Sequence, residues 1–285
     1  MCRARRSGPG LAHKPATGQP AATGPRRRRL DEALVERGLV ENRSRARALI
    51  MAADVLVNGV AVTRAGATIQ SGDDISLRAP PRFVSRGGEK LDPALSEFEI
   101  DVRGLVAADF GASTGGFTDC LLQHGAVRVY AIDVGYGQLA ARLRADSRVV
   151  VIERTNVRHL ESLPERVDLA TIDVSFIGLK LVLPAARNLL NDQGRIVALV
   201  KPQFEAGRAD VGRGGVVRDP GTHRRVLQNL FSTAEELGFG ISGLTASPLR
   251  GPAGNIEFLA VLAQRTSSIP MNDAIERALA EAHGE

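Results

Sequence analysis

From Arg86 onward, strand-length apolar runs alternate with helical segments, and this alternation constrains the fold more than any other feature of the chain. The candidate strands are Leu105–Phe110, Arg128–Val134, Val149–Arg154, Asp168–Val174, Arg195–Lys201, Gly240–Ala246 and Glu257–Ala263. Several are apolar without a break, as in strands covered on both faces, so the segment predicts an α/β domain built on a parallel, Rossmann-like sheet. Ligands of such sheets bind beyond the C-terminal strand ends. No apolar stretch reaches the ~18 residues of a spanning helix, which excludes a helical membrane protein.

The 285 residues leave room for about two domains. Residues 29–78 read as a small α+β module. A first helix carries Leu30, Leu34 and Val35 and stops near Gly38, and Asn42 caps a second that carries Ala46, Leu49 and Ile50. Val55–Val57 and Val60–Val62 flank the turn Asn58-Gly59 as a hairpin, and Ile75–Leu77 is a last short strand. Residues 79–85, with Pro80-Pro81, read as a stiff linker to a domain over 86–285. The net charge of +5 is uneven: residues 1–30 hold eight basic residues and no acid, so the remainder is slightly acidic. Residues 1–28 therefore read as a basic disordered tail, and any nucleic-acid contact of the folded part must rest on local patches. Two cysteines and five histidines show no metal-ligand spacing and no disulfide framework, which predicts no metal site and fits a cytoplasmic protein.

The first strand of the larger domain runs into Asp109-Phe-Gly-Ala-Ser-Thr-Gly-Gly-Phe117, which opens a helix. Gly111, Gly115 and Gly116 allow a ligand to approach the backbone, and the helix start can receive an anion. The Lys-Ser/Thr of a phosphate-cradling Walker loop is missing. Asp133 ends the second strand, where an acid can bind ribose hydroxyls. These features suit an adenosine-bearing ligand with a small anionic group, such as S-adenosylmethionine, with NAD as the competing reading.

Asp173 and Lys201 end the fourth and fifth strands, which as parallel neighbours would bring them together. Lys90 lies in Ser85-Arg-Gly-Gly-Glu-Lys90, just before the first strand, and Glu257 begins the last. Singly, each has an ordinary reading as a solvated or capping residue. Composition shifts the balance, because 33 of the 37 basic residues are Arg and only four are Lys. A Lys retained against such a bias points to a task Arg cannot perform, and proton loss is one.

These residues resemble the TlyA (haemolysin A-like) rRNA cytidine 2'-O-methyltransferases, an S4 RNA-binding domain joined to an FtsJ-like methyltransferase domain. The resemblance covers about residues 27–285. It rests on Val84-Ser-Arg-Gly-Gly-Glu-Lys-Leu91, Gly111-Ala-Ser-Thr-Gly-Gly-Phe117, Asp133-Val-Gly-Tyr-Gly-Gln-Leu139, Glu153-Arg-Thr-Asn156, Lys201-Pro-Gln-Phe-Glu205 and Ser247-Pro-Leu-Arg-Gly-Pro-Ala-Gly-Asn255. It implies S-adenosylmethionine as cofactor, ribosomal RNA or ribosomal subunits as partner, and Lys90, Asp173, Lys201 and Glu257 as the catalytic set. It further implies that Gly111, Ser113, Gly115, Gly116, Phe117, Asp133 and Asn156 hold the cofactor. For RNA it implies Arg27, Arg29, Arg43, Arg64 and Arg86, a patch that Arg45 and Arg47 extend along the second helix. At that helix start the family's Ser-Arg is Asn42-Arg43, preceded by Glu41. The N-terminal extension and the amphipathic segment Asn272–Ala282 resemble the longer family type, which modifies both ribosomal subunits. A monomer is expected. Two other functions compete: a non-catalytic ribosome-binding or assembly factor, and membrane lysis, for which the sequence offers no strongly hydrophobic surface helix.

Overall fold

The computed structural model describes residues 27–78, 81–264 and 269–284. The chain divides into two compact units between Pro80 and Pro81. The basic tail read over residues 1–28 falls, apart from Arg27 and Arg28, outside the described residues.

The N-terminal unit begins with β1 (Arg28–Arg29) and α1 (Leu30–Glu36), followed by α2 (Arg43–Met51), β2 (Val55–Val57), β3 (Val60–Ala61), β4 (Thr68–Ile69) and β5 (Ile75–Leu77). Asn42 caps α2 as its sequence predicts, its side-chain oxygen accepting the Arg45 N–H at 2.9 Å. The β2–β3 hairpin turns through Asn58 and Gly59, both with positive φ, which is why Asn-Gly stands there. β2 is central in the order β3-β2-β5, and β1 pairs with β4 in a separate ribbon that periodicity did not announce. Leu30, Leu34, Ala46, Ile50, Val55, Ile69 and Ile75 form its core.

The second unit comprises α3 (Arg86–Glu97), β6 (Val106–Phe110), α4 (Gly116–Gln123), β7 (Arg128–Ile132), α5 (Ala141–Arg144), β8 (Val149–Ile152), β9 (Val167–Ile172), α6 (Leu183–Leu189), β10 (Leu190–Val200), α7 (Pro202–Glu205), α8 (Pro220–Glu236), β11 (Phe239–Ala246), β12 (Phe258–Gln264) and α9 (Met271–His283). Its seven strands lie in the order β11-β12-β10-β9-β6-β7-β8. Alternate residues feed two layers. Phe110, Ile132, Ile172 and Val200 pack with α6, α8 and α9, while Ala107, Val129, Leu169 and Val197 pack with α3 and α4. Phe83, expected in the linker, is buried in the second layer, so the larger unit starts earlier than 86. The Asn272–Ala282 segment is the helix α9, and it buries Ala274, Ile275, Ala278 and Leu279.

One feature departs from the expected parallel sheet. β12 runs antiparallel to both neighbours, inserted between β10 and β11. Its beginning therefore lies beside the ends of the parallel strands. Residues that start β12 and residues that end β9 and β10 thus share one edge.

Candidate active site

Asp173 follows β9 and Lys201 follows β10, and these strands are parallel neighbours with Ala198 paired to Ile172. Lys201 Nζ reaches Asp173 Oδ1 at 2.6 Å and donates to Ser175 Oγ at 3.0 Å. Lys90, on the second turn of α3, places Nζ 2.5 Å from Glu257 Oε2. The reversal of β12 brings Glu257 here. All four residues predicted to be catalytic thus meet at the strand ends, as two lysine–carboxylate pairs.

All four are held in low-dielectric surroundings. Lys90, Lys201 and Glu257 are buried, Glu257 to 1% exposure. Burial pushes the Asp173 carboxyl above the usual range, while the charges of Lys201 and Lys90 pull it back. Behind it, Asp109 is wholly buried and accepts from Thr118 N at 2.9 Å, Thr118 Oγ1 at 2.7 Å and Thr171 Oγ1 at 3.2 Å. Burial, reinforced by the Asp173 charge, pushes Asp109 up to about 7. Its oxygen satisfies an otherwise orphan N–H in the first turn of α4.

A cavity of about 230 Å³ is walled by Lys90, Lys201, Asp173, Ser85, Arg86 and Arg250. It adjoins a groove of about 740 Å³ that includes Gly111, Ser113, Asp133, Asn156, Val157 and Phe176. Asp133 orders the floor: Oδ2 accepts Ser113 N–H at 2.8 Å and Oδ1 accepts Gly135 N–H at 2.7 Å. Asp133 lines the groove, and each of its oxygens can accept a further hydrogen bond. Gly111 has φ +86° and a Cβ there would lie 2.7 Å from the Asp173 carbonyl oxygen, so glycine is required between the two binding spaces.

The structure divides the expected cofactor set. Gly111, Ser113, Asp133 and Asn156 line the groove, Gly116 and Phe117 line the adjoining small cavity, and Gly115 lines neither. A Cβ on Gly116 would meet Ser85 Oγ at 2.3 Å and the Gly88 nitrogen at 2.9 Å, so this glycine lets α3 and α4 meet. Phe117 is buried in the core, and Gly115 is crowded by Leu139 and Leu143.

Sequence reasoning missed Ser175, Gln203 and Phe176. Gln203 donates to Glu257 Oε1 at 3.3 Å and leaves its own Oε1 buried without a partner. Phe176 is 90% exposed on the groove, in the left-handed region at φ +65°, with its ring 5.0 Å from that of Phe204. Each lies within three residues of Asp173 or Lys201, but its role depends on neighbours that no spacing announces.

The arginines expected to meet RNA fare differently. Asp31, fully buried, accepts from Arg29 at 2.9 Å, Arg43 at 3.0 Å and Arg47 at 3.1 Å, and these guanidinium groups hold its carboxyl well below the usual range. Arg27, Arg45 and Arg64 are exposed and form no ion pair among the described residues. Arg86 belongs to the second unit and donates to the Arg250 carbonyl at 2.7 Å. No helix among the described residues is long and apolar enough to cross a membrane.

The FtsJ-like methyltransferase family matches residues 83–264, and the S4 domain matches residues 28–75. The chain is 45% identical to the 16S/23S rRNA (cytidine-2'-O)-methyltransferase TlyA of Mycobacterium tuberculosis, over 90% of this chain and 98% of that one. It is 44% identical to Hemolysin A of Brachyspira hyodysenteriae, over 81% of this chain and 98% of the relative. Among solved structures, a hemolysin-like protein from Streptococcus thermophilus aligns with a TM-score of 0.71 at 43% identity, covering 92% of this chain and 97% of that one.

Proposed function

The chain belongs to the FtsJ-like methyltransferase family, in the TlyA group that adds an S4 domain, and from that premise we propose that it methylates the ribose 2'-hydroxyl of cytidine in 16S or 23S ribosomal RNA, or both. The observation that carries this reading is the pair of lysine–carboxylate contacts, at 2.5 and 2.6 Å, around one small cavity that adjoins the Asp133 groove.

The groove fits S-adenosylmethionine. Asp133 offers acceptors for ribose hydroxyls, Val157 and Ile177 offer apolar surface for a base, and Asn156 lines the same wall. The bound cofactor supplies a methyl group activated by a sulfonium. The chain's own residues do the rest. Lys201 steers the 2'-hydroxyl and, as the neutral amine, takes its proton to become the ammonium, which Asp173 and Ser175 then hold in place. Lys90 and Glu257 hold the ribose side of the network, and Gln203 braces Glu257 through its hydrogen bond at 3.3 Å. Phe176, exposed beside Asp173, offers a face on which an unstacked base can rest. Alignment within this buried cavity supplies much of the rate gain.

The reading is tested with tritiated S-adenosylmethionine and unmodified 30S and 50S subunits, alongside Lys201→Ala and Lys201→Arg. Label at cytidine 2'-O, absent in both variants, supports it, and the labelled subunit identifies the target. Cofactor binding with no label on either subunit favours an assembly factor instead. Full activity in Lys201→Arg would refute the proton-removal role.

A further inference from the structure

The chain between α7 and α8 carries Gly207, Gly212, Gly214 and Gly215, the last two with φ near +80° and +75°, and three exposed arginines, Arg208, Arg213 and Arg218. A segment of this composition has little tendency to hold one shape. Asn255 holds it. This side chain, 2% exposed, accepts the Val217 N–H at 2.9 Å and donates to the Gly215 carbonyl at 2.9 Å. Val216 and Val217 are buried beside it. The Gly212 N–H closes the turn on the Val216 carbonyl at 3.1 Å.

The attachment points tie this arm to the active site. It leaves from α7, which begins directly after Lys201, and it is pinned by a residue two positions before Glu257. The loop that leads to Asn255 is itself packed on the site: a Cβ on Gly251 would lie 2.5 Å from Glu257 Oε1, and Arg250 walls the small cavity. Among the described residues Arg208, Arg213 and Arg218 form no ion pair, whereas Arg225 nearby is taken by Asp210 at 3.0 Å. Free guanidinium groups on a fixed backbone suit one ligand chemistry, a run of phosphodiesters.

We propose that Asn255 is a positioning residue that fixes the Gly207–Arg218 arm, so that Arg213 and Arg218 grip the phosphate backbone of the RNA beside the reacting nucleotide. The inference rests on the methyltransferase reading above. An amide is required, because Val217 needs an acceptor and Gly215 a donor, and a carboxylate can supply only the first.

The test compares the full-length chain with Arg213→Ala/Arg218→Ala, Asn255→Ala and Asn255→Asp, on the subunit that accepts label. Three quantities are read: KM and kcat for methylation, cofactor affinity, and the slope of log binding constant against log salt for the subunit. The double arginine variant raises KM about tenfold and makes the salt slope shallower by about 1.5, at roughly 0.7–0.9 for each phosphate no longer neutralised. Asn255→Ala removes no charge, yet raises KM and flattens the slope in the same direction, with cofactor affinity unchanged. Asn255→Asp falls short of wild type in both. A wild-type slope and KM in the double arginine variant overturn the proposal, whether or not Asn255→Ala folds. A fall in kcat at wild-type KM in Asn255→Ala also overturns it, by placing Asn255 in support of Glu257 alone. If wild-type protein binds cofactor and transfers no label, the methyltransferase reading fails by itself, and the salt slopes still decide whether the arm grips RNA.

Discussion

Both units bury carboxylates against basic side chains, and they do so in different ratios. In the N-terminal unit one acid, Asp31, takes three arginines whose side chains stay 42–50% exposed. In the methyltransferase unit two acids take two lysines, and three of these four side chains are at most 11% exposed. Arg43 also reaches Glu32 at 3.2 Å, and three cations against two anions still leave excess positive charge facing solvent, which organises a surface for polyanions. Two against two leave a neutral, dry cluster in which proton position is easily changed. The carboxyl shifts follow: Asp31 is driven down by its arginines, whereas Asp173 is driven up by burial. On the proposed reading, the difference separates holding RNA from reacting with it.

The contrast between the units is most sharply removed at Asp173. Asp173→Asn leaves Lys201 without its counter-charge, and methyl transfer to subunits falls by about 10²–10⁴ while cofactor binding persists. Tritium transfer and equilibrium binding read the two separately. A smaller effect follows from Asp31→Asn. Its arginines are half exposed and water screens them, so hydrogen exchange over α1 and α2 speeds up about tenfold, with β6–β10 unaffected. RNA affinity is the sharper readout, since Arg29, Arg43 and Arg47 lose the anchor that arranges them.

The smallest effect concerns pH, where the units respond with opposite sign. Asp109 is raised in the folded state to about 7, so the folded protein binds more protons than the unfolded chain between about pH 4 and 7. Its contribution to stability is fullest below pH 4 and is lost as pH rises through 7. Asp31 is depressed, so its contribution is present above the ordinary carboxylate range and is lost as pH falls through its folded value. Exchange within β6 and α4 should therefore quicken from pH 5 to 7, after correction for intrinsic rates, and Asp109→Asn should flatten that trend. Equal trends in wild type and variant would show that Asp109 stays ionised when folded.

Much of this arrangement was legible in the sequence. The apolar runs located the seven strands of the large sheet, with ends displaced by up to a few residues and most at the start of β10. The rarity of lysine singles out Lys90 and Lys201 in the sequence alone. The direction of β12 was not legible, because an apolar run reads the same both ways; yet that direction brings Glu257 to the site. Arg29 and Arg43 look free in sequence, and only the fold shows that Asp31 claims them. Gly116 and Phe117 sit in a glycine-rich loop and wall the small cavity, and only the fold shows that Gly116 also lets α3 pack on α4.

The placement of β12 also bears on when the enzyme can first act. Lys90 meets Glu257 across 167 positions of sequence, and β11 has no neighbour in the sheet except β12. A chain still growing on the ribosome, or cut short before residue 257, has the residues of the Asp133 groove but lacks Glu257 for the second lysine pair and β12, the one sheet neighbour of β11. On the proposed reading, competence to modify RNA therefore waits on the making of β12, and a product cut before Glu257 is expected to bind cofactor without transferring label.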